Sequence, residues 1–352
     1  MTRKTRNRRT QVRPLAAAAV LAGASLILLT GCTASADAAT TQTSASKEVT
    51  VLRYQGTANS VVLPELAAAL GYLGAVKLDW VGNTISGPQD IQSVATNQTD
   101  VGEAFSGAIV KLVTAGSPIT AVVSAYGEDA KTFIGYYAKA DSPIKTAKDL
   151  IGRKIAVNTL GAQEEAEVDT WLQRGGLTAD QIKQVQLVVV PPNSTEEAIR
   201  RGQVDVGALG GVLQDHALAV GGLRSVFNDQ DLFGAFAGGQ YVFRNDFIAK
   251  NPATVRAFAT GIAKAIHWEN TTPRDQVIAK FTKIIQQRNR GESTATQQYW
   301  KSSGLPGYGA ITDADYTRWE GWLRSSGIIS GRLKPSSIYT NAFNDLAKSV
   351  RS

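Results

Sequence analysis

The strongest constraint on the fold is an alternation of short apolar segments with amphipathic segments, which starts at Glu48 and occurs in two series. Strands that alternate with helices predict a mostly parallel sheet covered on both faces, so the two series predict two α/β lobes. The second series follows residues 133–138. In the first series we predict strands at 49–54, 76–81, 101–105 and 119–126 and helices at 60–73, 91–96 and 108–115; in the second, strands at 154–158, 185–190 and 204–209 and helices at 163–175 and 195–201.

The C-terminal third of the chain is predicted to be largely helical. A strand-like segment at 242–247 leads into helices predicted at 252–268, 274–288 and 313–325. Thr312 with Asp315 three residues later is similar to a capping box, which marks the start of the last helix. That helix carries Tyr316, Trp319, Trp322 and Leu323 on one face. An aromatic stripe at helical spacing predicts packing against a lobe.

Composition and charge exclude several classes of protein. With 352 residues, 43% of them apolar and 19% charged, the chain fits one large or two medium globular domains and not a disordered protein. The formal net charge is +7, but six of the 37 basic residues precede Gly31, which leaves 31 basic against 30 acidic residues beyond it. The basic excess is therefore N-terminal, and a domain-wide nucleic-acid surface is not expected.

The N-terminus has the pattern of an export signal. Basic residues precede an uncharged, Ala- and Leu-rich segment at 15–30, which is shorter than the roughly 20 residues of a membrane span. The sequence Leu-Thr-Gly-Cys at its end resembles the bacterial lipobox, with Cys32 as the lipidated residue. We predict a lipoprotein signal peptide at 1–31, a flexible tether at 32–46 and attachment to the periplasmic or extracellular face of a membrane. Arg8 and Arg9 leave both Sec and Tat export open.

Residues that would support catalysis or metal binding are sparse. One Cys and two His cannot form a disulfide framework or a closed zinc site of those residue types. The sequence contains no phosphate-binding loop ending in Gly-Lys-Ser/Thr and no Gly-x-Ser-x-Gly elbow. No sequence neighbour identifies a catalytic partner for His216 or His267. We therefore expect no enzyme activity, no metal and no cofactor.

Five turns between predicted strands and helices are rich in Gly, Ser and Thr. In open α/β sheets the ligand crevice forms where strands end and helices begin. Each helix N-terminus offers unpaired N–H groups and about half a positive charge, so these turns together suit a small anion without Lys or Arg. The turns lie at 55–60, 86–88, 106–108, 159–163 and 210–212.

Five longer segments, taken in their order, resemble one protein family. They are SGPQDIQSVATNQTDVGEAFSGA at 86–108, YYAKADSPIKTAKDLIGRKIAV at 136–157, AIRRGQVDVGAL at 198–209, RNDFIAKNPATVRAFATGIAKAIHW at 244–268 and IYTNAFND at 338–345. The family is that of the periplasmic substrate-binding proteins of ATP-binding-cassette importers for nitrate, aliphatic sulfonates and taurine. The similarity extends from about residue 49 to residue 343.

The resemblance implies a two-lobed, type II periplasmic-binding-protein fold that closes on its ligand about two hinges. Lobe 1 is expected at 47–138 and 244–352 and lobe 2 at 139–243, with chain crossings near 138–143 and 239–244. The family further implies a small organic anion as ligand, a membrane permease with its ATPase as partners, and a monomeric protein that contacts no nucleic acid.

The family's binding positions can be carried over to this sequence. In the first lobe Tyr54, Gln55, Ser86, Gly87, Ser106 and Gly107 occupy them; in the second, Thr159, Gly161, Ala162, Gln163, Gly210 and Gly211 do. Gly161 and Ala162 replace a pair of serines that bind the sulfonate in relatives. Gly210 and Gly211 replace a Trp and an acidic residue, which removes the partner of the taurine amine and leaves more room. The alternatives for the ligand therefore remain an alkanesulfonate, taurine, nitrate, or a bulkier aromatic sulfonate or carboxylate.

Two other functions stay open on the same fold. Desulfinases and thiamine-pyrimidine synthases resemble these binding proteins, but the first type depends on a Cys nucleophile and the second on His and Cys residues. The sole Cys here is the predicted lipidation site. A sensor that presents its ligand to a membrane kinase would have the same sequence features as an importer component.

Overall fold

The structure, a computed structural model, describes residues 47–350. The predicted signal peptide, Cys32 and the tether at 32–46 lie outside the described residues. Within the described part, none of the helices combines the length and apolar character that a membrane crossing requires.

Ten strands form three sheets within the described residues. The first sheet has the order β1-β2, the second β3-β10-β4 and the third β7-β6-β8-β5-β9. The strands are β1 Val51–Gly56, β2 Lys77–Asn83, β3 Val101–Phe105, β4 Ile119–Glu128, β5 Ile134–Lys139, β6 Lys154–Val157, β7 Gln186–Val189, β8 Val206–Gly210, β9 Leu223–Asn228 and β10 Phe236–Arg244.

Thirteen α-helices connect and cover these strands in the described part of the chain. They are α1 Leu63–Ala69, α2 Gly87–Ala95, α3 Ser106–Thr114, α4 Gln163–Arg174, α5 Ala179–Ile182, α6 Pro192–Arg200, α7 Gly211–Val220, α8 Asp229–Phe233, α9 Asn245–Lys250, α10 Pro252–Thr271, α11 Arg274–Arg288, α12 Ala314–Thr317 and α13 Glu320–Ser325. Short 3-10 turns lie at Ala147–Leu150, Gln297–Tyr299, Pro335–Ser337 and Ala347–Val350.

The mixed α/β architecture is confirmed, but strand directions are more mixed than two mostly parallel sheets. The pairs β1 with β2, β6 with β7 and β6 with β8 are parallel. β10 is antiparallel to β3 and β4, and β5 is antiparallel to β8 and β9.

The chain passes between the three-stranded and the five-stranded sheet twice. The first passage is at 129–133, between β4 and β5, and the second is at 229–235, between β9 and β10. The expected crossings at 138–143 and 239–244 instead fall at the end of β5 and inside β10. The nearly fully buried β10 belongs to the three-stranded sheet over its whole length, which moves the second passage toward the N-terminus.

The three-stranded sheet has a hydrophobic core on each face, and the C-terminal helices complete both. Alternate side chains of β10 divide between them: Tyr241 and Phe243 pack with α10 and α11, whereas Val242 packs with α12 and α13. The predicted aromatic stripe is confirmed as core, since Trp319 is 1% exposed and its ring meets that of Phe105 edge to face at 4.7 Å.

The five-stranded sheet has the same two-faced construction. Tyr136 of β5 faces one core and its neighbour Tyr137 faces the other. The ring of Phe227 stacks between Tyr136 and Trp171, with ring centroids 4.1 and 4.3 Å apart. Such pairs contribute about 0.5–1.5 kcal/mol beyond the area that they bury.

Candidate functional site

A cleft of about 590 Å³ lies between elements of the two larger sheets. We call its two sides the first wall and the second wall. The first wall consists of residues 57–63 and 83–87, side chains of β3, β4, β10, α10 and α11, and the segment 293–303. The second wall consists of Asn158, residues 192–193, residues 210–213 and Asp215. This volume lies in the range of pockets for small organic molecules.

Three helices begin at the cleft, and they come from both walls. Gly87 starts α2 in the first wall, while Pro192 and Gly211 start α6 and α7 in the second. The first N–H groups of a helix have no partner inside it, and the helix dipole makes this end positive. Gly87 allows close packing here, because a Cβ at this position would lie 2.8 Å from the Cα of Ala104. Pro88 and Pro192 have no backbone N–H, so α7, which begins without a proline, offers the most free donors, with Gly87 adding one from the first wall.

The first wall also holds two carboxyl groups. Glu103 of β3 is half-buried, and Glu269 in the last turn of α10 is 8% exposed. Burial raises the pKa of Glu103 to about 8, with a smaller contribution from the Asp90 carboxyl group. Burial alone raises the pKa of Glu269 to about 8. Both groups are therefore largely protonated at neutral pH in the empty cleft.

Aromatic side chains lie in the same wall as these carboxyl groups. Tyr126, Tyr241, Phe281 and Trp300 all line the cleft. The rings of Phe281 and Trp300 meet edge to face with centroids 5.6 Å apart. The first wall thus combines apolar rings with acidic groups.

The segment 297–303 ties the two walls together. Lys301 forms an ion pair with Asp215 of α7, and the ring of Tyr299 meets that of His216 edge to face at 5.7 Å. The Ser302 hydroxyl bonds to Asp129 Oδ2 over 2.9 Å in the first chain passage. Lys301 is the one Lys or Arg among the residues that line the described cleft, and Asp215 pairs with it.

Four of the twelve residues expected at the site line this cleft. They are Ser86 and Gly87 at α2 and Gly210 and Gly211 at α7. Tyr54 and Gln55 line a small neighbouring cavity instead. Tyr54 is 4% exposed, and its hydroxyl donates to Glu65 Oε1 over 2.7 Å.

Ser106 and Gly107 point into protein rather than into the cleft. The Ser106 hydroxyl donates to the Gly238 carbonyl over 3.2 Å and accepts from Gln240 over 3.0 Å. A Cβ at Gly107 would lie 2.5 Å from the Phe105 ring.

The start of α4 is also kept away from the cleft. Gln163 is 5% exposed and bonds to Glu167 over 2.8 Å, and Ala162 is 4% exposed. Thr159 and Gly161 lie in the preceding turn and are half-buried. A Cβ at Gly238 of β10 would lie 3.0 Å from Gln163, so this turn packs against β10. The structure does not bring these four residues to the cleft.

Sequence reasoning missed both carboxyl groups of the first wall, although each left a signal. Glu103 interrupts the otherwise apolar strand Val-Gly-Glu-Ala-Phe. Glu269 continues the buried face of α10 after Phe258, Ile262 and Ile266, at spacings of four, four and three. A charged residue on an apolar face is the informative exception to burial rules.

Within residues 47–350, no group of three or more His, Cys, Asp or Glu side chains could hold a metal ion.

Solved structures with the same fold include binding proteins from several bacteria and one enzyme. The alkanesulfonate-binding protein SsuA from Xanthomonas axonopodis pv. citri, bound to MOPS, has a TM-score of 0.65 at 17% identity, over 84% of this chain and 99% of that one. The periplasmic aliphatic sulphonate binding protein SsuA from Escherichia coli has a TM-score of 0.62 at 19% identity, over 81% and 90%. The periplasmic nitrate-binding protein NrtA from Synechocystis PCC 6803 has a TM-score of 0.62 at 13% identity, over 84% and 87%. The desulfurization enzyme DSZB has a TM-score of 0.58 at 17% identity, over 86% and 100%.

The two sheet systems with a cleft between them thus define a two-lobed periplasmic-binding-protein fold. Residues 66–276 match the family described as NMT1/THI5 like, which is more than half of the chain. The chain belongs to the NMT1/THI5-like family. No curated protein sequence matches it.

Proposed function

We propose that this protein is an exported solute-binding protein that captures a small organic solute and delivers it to an ATP-binding-cassette importer. The observation that supports this most is the cleft, whose two walls come from different sheet systems. We assign a first lobe to residues 47–128 and 236–350 and a second lobe to 129–235. The lobes would close about the passages at 129–133 and 229–235.

The solute is proposed to carry an oxyanion such as a sulfonate. The starts of α2 and α7, one from each proposed lobe, offer free N–H donors, whereas Pro191 and Pro192 leave few at the start of α6. One bound oxyanion would therefore hold the lobes together. The aromatic side chains of the first wall favour an aromatic sulfonate or carboxylate over nitrate.

The proposed location is outside the cytoplasmic membrane, with Cys32 as lipid anchor. Two or more acyl chains give stable attachment, and the tether at 32–46 would let the lobes reach a permease. Replacing Cys32 with Ser should move the protein from the membrane fraction to the soluble fraction. Unchanged membrane fractionation would contradict the anchor.

Binding without catalysis is proposed over the enzymes that share this fold. The chain has one Cys, at position 32, so residues 47–350 offer no thiol for a desulfinase-type nucleophile. Release of sulfite from an aromatic sulfinate by the purified protein would contradict this proposal.

Thermal unfolding against a panel of solutes tests the function. The panel contains nitrate, taurine, linear alkanesulfonates, aromatic sulfonates and aromatic carboxylates. A solute at 100 times its dissociation constant stabilises the folded protein by about 2.7 kcal/mol, enough to raise the melting temperature by several degrees. A shift with one class identifies the solute; no shift with any anion would contradict the oxyanion proposal.

A further inference from the structure

The carboxyl groups of the first wall are unexpected in a cleft that binds an anion. We call Glu269, Glu103, Tyr126, Tyr241, Phe281 and Trp300 the acidic pocket. An ionised carboxylate repels a bound sulfonate, and the uncompensated burial of a carboxylate is itself costly.

Glu65 shows how the same protein pairs a buried carboxylate. Glu65 is 6% exposed, and its two oxygens receive Arg288 at 2.6 Å and Arg290 at 2.9 Å. The Tyr54 hydroxyl donates to it as well. Its charge is thus compensated on every side by residues of the protein.

Glu269 is buried to a similar extent and lacks such partners. It is 8% exposed, and its Oε2 has no hydrogen-bond partner among the described residues. Glu103 has no side-chain hydrogen bond in the same part of the chain. Leaving a buried polar group unpaired costs about 1–3 kcal/mol, so the fold keeps an expensive acceptor at the surface of a cleft.

The aromatic rings of the acidic pocket favour one kind of partner. The faces of Tyr, Phe and Trp rings carry partial negative charge and attract cations, while they give nothing to an anion. Four such rings with two carboxyl groups form an environment suited to a positively charged nitrogen that also has an apolar body.

We infer that Glu269 receives a positively charged nitrogen of the bound solute, with Glu103 and the aromatic rings around it. This inference rests on the proposed function, because it adds a second group to the solute whose oxyanion meets the helix starts. The solute class is then a zwitterion in which an amine or amidine is joined to a sulfonate or carboxylate.

The inference predicts that binding releases a proton. Since burial raises the pKa of Glu269 to about 8, a cation that enters the empty pocket at pH 6.5 must displace the proton of the carboxyl group. Affinity for an ammonium group should rise between pH 6.5 and pH 8.5, by up to about tenfold per pH unit. The other titratable side chains that line the cleft are Glu103, Tyr126, Tyr241, Asp215 and Lys301, of which the last two pair with each other.

Three related compounds measure the contributions of the cationic group and of the anionic group to binding separately. They are benzylamine, 4-methylbenzenesulfonate and 4-(aminomethyl)benzenesulfonate, measured by calorimetry with the full-length purified protein at pH 6.5 and 8.5. At pH 8.5 we expect the zwitterion to bind at least about tenfold more tightly than 4-methylbenzenesulfonate, as a charged hydrogen bond supplies about 1.5–3 kcal/mol.

Two Glu-to-Gln variants show whether Glu269 is responsible. Glu269→Gln should remove most of the preference for the zwitterion and its pH dependence. Glu167→Gln is the matched control, since Glu167 is fully buried with a raised pKa but does not line the cleft. It should leave the preference unchanged.

The outcomes distinguish this inference from the proposed function. Equal binding of 4-methylbenzenesulfonate and the zwitterion, unaffected by Glu269→Gln, would overturn the inference and leave the oxyanion proposal standing. Binding of benzylamine that depends on Glu269, with no binding of 4-methylbenzenesulfonate, would support the inference and contradict the oxyanion. Failure of both amine compounds to bind would overturn the inference.

Discussion

The two walls of the cleft differ in the chemical groups that they offer to a solute. The second wall has the starts of α6 and α7, Asn158 and two adjacent glycines. The first wall has the start of α2 together with carboxyl groups and aromatic rings. Backbone donors fit any oxyanion of suitable size, whereas side chains can discriminate between solutes. Under the proposed function, the choice between solutes therefore depends mainly on the first wall.

The largest expected effect comes from the ion pairs that hold the first wall in place. Arg288 is 8% exposed, bonds to Glu65 and donates to the Ser60 carbonyl over 2.9 Å, next to the loop at 57–63. Arg288→Ala should lower the free energy of unfolding by about 3–5 kcal/mol, because it leaves a buried carboxylate with less compensation. Urea unfolding measures this value.

Arg256→Ala provides the control for that measurement. Its ion pair with Asp345 is about half exposed, and such pairs contribute about 0–1 kcal/mol. Equal losses in the two variants would contradict the view that the first wall depends on buried ion pairs.

The second expected effect is on the pH dependence of the free energy of unfolding. The pKa of Glu269 is raised from its ordinary value of 4.5 to about 8, so the folded protein binds more protons than the unfolded chain between these values. Its contribution to stability is therefore full below about pH 4.5 and is lost as pH rises to 8, by up to about 1.4 kcal/mol per pH unit. Glu269→Gln should flatten the fall in stability of the solute-free protein over this window, which unfolding at several pH values measures.

If Glu269→Gln does not change the slope of the free energy of unfolding against pH, other groups cause the pH dependence. Glu128, Glu167 and Asp229 are also buried with raised pKa values, and they lie outside the cleft. Glu167→Gln should flatten the slope without changing solute binding.

The third expected effect is a difference in solute binding between substitutions at two glycines that the family resemblance places at the site. Gly211 lines the cleft, has φ +52° and has open space where a Cβ would lie, whereas Gly161 lies outside the cleft near Lys111. Both residues have positive φ, so any side chain costs about 1 kcal/mol. Gly211→Trp should abolish the thermal shift with solute and Gly161→Trp should preserve it. The reverse result would move the site to the start of α4.

The smallest expected effect is at the link between the walls. Lys301→Ala removes an ion pair whose lysine is 45% exposed and whose Asp215 is 10% exposed, and it should lower the free energy of unfolding by about 1 kcal/mol. Because the pair joins the two walls, the dissociation rate of the solute should rise by a few fold in stopped-flow measurements. Lys183→Ala, which removes an exposed pair with Asp180 away from the cleft, should leave that rate unchanged.

Much of the fold could be predicted because hydrophobic periodicity is local. The alternation at 49–126 and 154–209 and the aromatic stripe of the last helices each depend on residues within one element. The passages between the sheets could not be located this way. Gly238 and Gly239 make the start of β10 read as a loop, yet a Cβ at either would lie within 2.7 Å of the Tyr126 ring. Only the packing of that ring explains two glycines inside a buried strand.

The site could be predicted in part for a similar reason. Ser86 and Gly87, with Gly210 and Gly211, follow strands that end at the cleft, which the strand-to-helix rule anticipates. The same rule placed Gln163 at the site, but α4 packs against β10. The carboxyl groups of the first wall could not be found by a search for anion-binding turns, since Glu103 lies inside β3 and Glu269 near the end of α10.

The ion pair between Lys301 and Asp215 joins the two walls of the cleft, with the Lys301 side chain 45% exposed and that of Asp215 10% exposed. Salt screens charges that are more than about 8 Å apart at physiological ionic strength, and it screens partly buried pairs much less. Because the two charges are in contact and one is nearly buried, this link between the walls should keep most of its strength in concentrated salt.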